Sequence, residues 1–244
     1  MLRPTTSVED HHQHSGVAVS RAGSGVRRRD LLTASTAIAG TGLAGGMTLA
    51  FGQQSALRPT NEQVLGPFYP VRLPTDQDAD LTVIAGKDAR ALGQVLYVSG
   101  RVTNVRGEPV GNAELEIWQA NAVGRYTHPA DDNPSPIDPN FEGYAKIRTG
   151  PDGSYRFKTV KPGAYPVAPV PGWTRPPHIH FDVKGRASRL VTQMYFEGEA
   201  LNDKDIFFQR ASGKDGLLAR YGAPSGQQEP NALVAAWNIV LIAG

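Results

Sequence analysis

Residues 175–180 read Arg-Pro-Pro-His-Ile-His, and the two imidazoles one residue apart are the feature of this 244-residue chain best suited to chemistry. Alternate side chains of a β-strand share a face, so His178 and His180 would point the same way with Cα atoms ~6.6 Å apart, close enough to converge on one metal ion. Ile179 and Phe181 would face the opposite side. Two ligands do not complete a site. His11, His12 and His14 fall in an N-terminal tail, so His128, carboxylates or tyrosines must supply the rest. A carboxylate beside two histidines suits zinc hydrolysis or a ferrous oxygenase. Asp182 shares the strand face of His180 but stands ~13 Å from His178 by strand rise. Tyr126 in Gly-Arg-Tyr-Thr-His and Tyr165 in Lys-Pro-Gly-Ala-Tyr-Pro are phenols that loops could deliver; the Pro-Gly turn would hold Tyr165 in place without a strand. Taken singly, each tyrosine reads as a core-edge residue with a hydrogen-bonded hydroxyl. Spacing alone leaves these options open.

The elements that must position these groups read as strands. Leu96, Val98 and Val102 share one face of a period-two pattern, as do Ala113, Leu115 and Ile117, while Tyr155 and Phe157 alternate with polar neighbours. HIHFDV, RLVTQMYF and ALVAAWNIVLI continue the series, separated by turn signals such as RGEP, GPDGS and KPGAYP. Many short strands with Gly/Pro turns predict an all-β fold, an antiparallel β-sandwich with long loops, in one domain over residues 52–244. Residues 123–143 hold four prolines and little periodicity. They predict a long ordered loop, a kind of segment that often carries function. The absence of cysteine excludes disulfide scaffolds, iron–sulfur clusters and thiol nucleophiles.

Residues 1–51 read differently from the rest. Arg27, Arg28 and Arg29 precede an uncharged run from Leu31 to Phe51 that is rich in Gly, Ala and Thr, the layout of a cleavable export signal. Arg28-Arg29-Asp30-Leu31-Leu32 resembles a twin-arginine signal, which places the protein in the periplasm or outside the cell. The segment contains five of the 25 basic and three of the 23 acidic residues, so twenty of each sign remain once it is removed. A formally neutral mature chain points away from a nucleic-acid partner, and signal removal leaves no stable membrane association. A homo-oligomer is compatible with the sequence.

The order of these pieces resembles the intradiol ring-cleavage dioxygenases, most closely the catalytic chain of the protocatechuate 3,4-dioxygenase type. The resemblance runs from about Gly66 to Leu201 and rests on GRYTH, KPGAYP, RPPHIHFDV and LVTQMYFEGEAL. It implies a non-heme Fe(III) cofactor ligated by Tyr126, Tyr165, His178 and His180, with Tyr165 and His180 as the axial pair. It further implies that Arg175 stabilises charge on the bound substrate, that Gln193 lies near the oxygen site, and that Tyr165 leaves the metal to accept a substrate proton. The implied reaction inserts both atoms of O2 into a catechol-type aromatic and yields a cis,cis-muconate. Val167 departs from the pattern, standing where the protocatechuate enzymes carry a pocket tryptophan. The residues by themselves also admit a non-catalytic β-sandwich binding module, or a zinc hydrolase using His178, His180 and Asp182.

Overall fold

The computed structural model describes residues 55–167 and 170–244. The export signal expected over residues 1–51 lies outside them. The chain forms β1 (Val95–Asn104), β2 (Glu114–Trp118), β3 (Tyr144–Arg148), β4 (Ser154–Val160), β5 (Tyr165–Pro166), β6 (Thr174–Arg175), β7 (His178–Lys184), β8 (Arg189–Phe196), a five-residue helix α1 (Ile206–Arg210), β9 (Leu218–Gly222), β10 (Leu233–Ala236) and β11 (Ile239–Leu241). No described helix is long and apolar enough to cross a membrane.

Nine of the strands make one hydrogen-bonded sheet in the order β11-β1-β10-β9-β8-β7-β2-β3, with β4 paired to β1, and β5 pairs with β6 in a separate hairpin. The expected all-β class holds, but the sheet is mixed rather than antiparallel, and it curls toward a barrel. β1 runs parallel to β10 and β11, and β8 runs parallel to β9. A parallel pair needs a crossover of a dozen or more residues. Residues 197–217, which include α1, provide it between β8 and β9. The short parallel contact of Tyr195 and Phe196 with Leu218 and Ala219 is the corner where the two halves of the sheet meet.

Alternation explains the core. Leu96, Val98 and Val102 of β1, Leu115 and Ile117 of β2, and Ile179, Phe181 and Val183 of β7 are all buried in one cluster between the halves. Phe181 sits at its centre, with ring centroids 5.9 Å from Phe157, 6.3 Å from Tyr155 and 4.9 Å from Trp237. The other face of β7 is buried too, since His178, His180 and Asp182 are each 1–2 % exposed. Loops cover that second face, and it carries the chemistry.

ALVAAWNIVLI, which reads as one strand, is split at Trp237 and Asn238. The register with β1 is kept across the break, Leu96 opposite Leu233 and Val102 opposite Ile239. At the break the Trp237 carbonyl turns inward to accept a hydrogen bond from the Tyr155 hydroxyl at 2.7 Å. It also crowds Gly100, where a Cβ would lie 1.7 Å from the Trp237 oxygen.

Candidate functional site

β7 lies between β2 and β8, so register decides what surrounds the histidines. His180 faces Trp118 on one side and Gln193 on the other, and His178 faces Tyr195. The Trp118 indole stacks on the His180 ring at 4.9 Å and 11°. Held this way, His178 and His180 bring their Nε2 atoms to 3.2 Å from each other. His178 Nδ1 lies 2.7 Å from the Pro176 carbonyl, which can only accept; the proton is therefore on Nδ1 and the Nε2 lone pair faces the site.

The two tyrosines arrive on loops that are joined at their bases. Asn121 ties them: its carbonyl accepts from Gly163 N at 2.9 Å, and its side-chain oxygen accepts from Val123 N and Arg125 N. The two backbones run so close that a Cβ on Gly124 would lie 2.2 Å from the Ala164 carbonyl. Tyr126 is fixed further by Asp131, whose carboxylate accepts from its backbone N–H at 2.7 Å. Tyr165 lies in the short strand β5, not in a free turn, and is paired there with Arg175 of β6. Tyr126 and Tyr165 meet edge to face at 5.5 Å, and the Tyr165 hydroxyl lies 3.5 Å from His178 Nε2. The long loop between β2 and β3 forms no helix or strand, and it delivers Tyr126.

Tyr126, Tyr165, His178 and His180 thus converge, from two loops and one strand, on a single buried point. Burial pushes both phenols up from their ordinary value, opposed in each case by the Arg175 charge. Burial, reinforced by Arg175, pushes both imidazoles well below theirs, so the histidines are neutral. The Tyr126 hydroxyl and His180 Nδ1 are buried without a hydrogen-bond partner. An unsatisfied buried phenol is costly, and a cation between the four groups would satisfy it. Gly66 leaves room, since a Cβ there would stand 3.0 Å from His180 Cε1. Two hard oxygen donors with two neutral nitrogens fit a hard, highly charged ion better than a soft one.

The Asp182 alternative does not fit. Its carboxylate is held by the Arg189 guanidinium through two 2.8 Å bonds and has Lys184 at 3.5 Å. No group of three His, Cys, Asp or Glu side chains able to hold a metal occurs among the described residues. His128 packs its ring 5.7 Å from Phe68 and accepts from Ala130 N.

Arg175 is 4 % exposed. Its Nε donates to the Asp205 carboxylate, and its Nη2 donates to Gln193 Oε1 at 2.7 Å and to the Tyr195 hydroxyl at 2.9 Å. Gln193 is held in turn by donating to the Val64 carbonyl at 2.7 Å. Sequence reasoning missed Asp205 and Tyr195. Tyr195 follows Gln193 by two in RLVTQMYF, so alternation could have placed both on one face. Asp205 gave no such signal; it caps α1 by accepting from Phe208 N while it holds Arg175. Beside Tyr165 and Arg175 opens a cavity of about 460 Å³, walled by Phe68, Val167, Trp173 and Phe207 among others.

Comparisons with known proteins show the family. The Dioxygenase family profile matches residues 64–243. The protocatechuate 3,4-dioxygenase beta chain of Burkholderia cepacia is 43% identical over 190 residues, covering 75% of this chain and 80% of its own. The hydroxyquinol 1,2-dioxygenase of Nocardioides simplex is 31% identical over 196 residues, and the match spans 75% of this chain but only 62% of that protein. The dioxygenase domain of a dioxygenase carbohydrate-binding fusion from Streptomyces sp. SirexAA-E superposes with a TM-score of 0.56 at 26% identity, over 77% of this chain and 100% of that one. By its sequence and by its fold, this chain belongs to the intradiol ring-cleavage dioxygenase family.

Proposed function

We propose that the protein is a non-heme Fe(III) enzyme that cleaves a catechol-type ring between its two oxygen-bearing carbons, inserting both atoms of O2 to give a cis,cis-muconate. The observation that carries this is the convergence of Tyr126, Tyr165, His178 and His180 on one buried point beneath Arg175. These four would hold the iron: two phenolates are hard anionic donors, and the neutral imidazoles add no charge. Bound there, Fe(III) would supply a Lewis acid for the two catechol oxygens and leave the ring electron-rich toward O2.

The remaining work falls to side chains. Tyr165 lines the cavity and, as a phenolate, is placed to accept a catechol proton at its oxygen. Arg175 presents a buried charge fixed by Asp205, Gln193 and Tyr195, so it stabilises negative charge developing on the substrate without first reorganising. Pro176 and Pro177 stiffen the chain between that arginine and the histidines. Gln193, bridging Arg175 and the Val64 carbonyl, holds the far wall.

Purified protein should contain iron, show a visible phenolate-to-Fe(III) absorption band, and consume one O2 per catechol cleaved. Colourless protein holding zinc or no metal would overturn the assignment. We also propose export of the folded, iron-loaded chain by the twin-arginine signal of residues 1–51. A reporter fused to that segment should cross only by the folded-protein route, and transport by the unfolded-chain route alone would refute export in the loaded state.

A further inference from the structure

We infer that the cavity beside Tyr165 and Arg175 selects catechols whose ring substituent is uncharged and apolar, and discriminates against carboxylated ones. The inference rests on the ring-cleavage reading and concerns its substrate class. The relative from Burkholderia cepacia is named for a carboxylated catechol, so the expectation runs against that name.

Size comes first. A cavity of about 460 Å³ exceeds the roughly 150 Å³ that encloses a benzene ring. A ring placed with its hydroxyls toward Tyr165 therefore leaves space for a substituent. The surfaces available to that substituent are the side chains of Phe68, Val167, Trp173 and Phe207 together with Pro166, apolar except for the Trp173 indole N–H, which is buried without a hydrogen-bond partner.

Charge comes second. Arg175 is the one cation lining the cavity among the described residues; its Nε and Nη2 are bound to Asp205, Gln193 and Tyr195, and its remaining charge serves the reacting ring oxygens under the ring-cleavage reading. Two carboxylates line the same cavity. Asp131 is held by the Tyr126 and Asn133 backbone N–H groups and stands 3.5 Å from Arg125. Asp132 is exposed at the mouth. A substrate carboxylate would lose water, find no second cation among the described residues lining the cavity, and meet the Asp132 charge. An alkyl or hydrogen substituent meets none of these penalties and gains apolar contact.

The test uses iron-loaded full-length protein with catechol, 4-methylcatechol and protocatechuate, reading kcat/KM by oxygen uptake and equilibrium binding without O2 by quenching of tryptophan fluorescence, since Trp173 lines the cavity. The expected result is that 4-methylcatechol exceeds protocatechuate by roughly tenfold or more in both readouts, and that the gap narrows as added salt screens the carboxylates. Asp132→Lys should shift the protocatechuate-to-methylcatechol ratio upward by at least about fivefold, and Asp132→Asn by less. Protocatechuate handled as well as 4-methylcatechol, or a ratio unmoved by Asp132→Lys, overturns the inference. Oxygen uptake with none of the three would instead sink the ring-cleavage assignment, and the binding readout would still decide the selectivity.

Discussion

The Arg175 guanidinium illustrates how a single charge can be buried without penalty to its aim. Asp205 balances it, and two neutral acceptors fix its plane. Asp205→Asn keeps a good helix cap for α1 but removes the charge, so it separates the two duties. We expect a stability loss of about 3 kcal/mol, because a buried cation loses its counter-ion. We also expect kcat/KM to fall by roughly tenfold to a hundredfold, with iron content and the visible band unchanged. Chemical denaturation, metal analysis and steady-state kinetics read these three together, and unaltered turnover would remove Asp205 from its positioning role. Gly66→Ala tests the room beside His180. At φ +77° the new Cβ is strained, and it presses on the imidazole. Iron occupancy after loading should drop while the fold, read by circular dichroism, persists. At this scale the sequence showed the His-x-His pair and, through their order, both tyrosines. Asp205 was not legible, because its partner lies thirty residues away on another element and neither local pattern nor periodicity links them.

β7 shows what an element adds. Its alternation was readable, and it splits the strand between a core face of Ile179, Phe181 and Val183 and a second buried face of His178 and His180. What alternation does not show is the cover on the second face, since loops and the β5–β6 hairpin have no period. The last strand gives the opposite lesson: its pattern looked continuous, yet a carbonyl turned inward at Trp237 breaks it while preserving register. Gly100→Ala would drive a Cβ into that carbonyl, and we expect a loss of about 3 kcal/mol or more from forced backbone movement, measurable by urea unfolding. Tyr155→Phe deletes only the hydrogen bond to the same carbonyl and should cost about 1–2 kcal/mol without changing the iron spectrum. Equal costs for the two would mean that the hydrogen bond, not the close approach, holds the junction.

For the molecule as a whole, the all-β class was legible from turn spacing and alternating strands, but strand direction was not. Nothing in a sequence of short strands distinguishes a hairpin from a crossover when the intervening residues, 197–217, form only short helical turns. Charge distribution across the fold also yields a prediction about pH. Glu142 is half-buried near Asp76 and Asp78, and burial first, then those two charges, push its carboxyl up to about 7. A folded-state value above the unfolded one means that its contribution to stability is greatest below the ordinary value near 4.5 and is lost as pH rises through about 7. Glu142→Gln should therefore raise Tm at pH 8 and leave it nearly unchanged at pH 4.5; a gain of equal size at both would disprove the assignment. One further feature concerns timing. All four candidate ligands have been made once residue 180 is reached, yet the wall over the histidines, from Val64 to Phe68, is anchored through Thr60, which exchanges hydrogen bonds with Val240 of β11. β1 likewise has no partner on that edge until β10 and β11 exist. A nascent chain thus carries every candidate donor long before it can close a pocket around them, so a site able to hold the proposed iron is complete only after synthesis has passed residue 241.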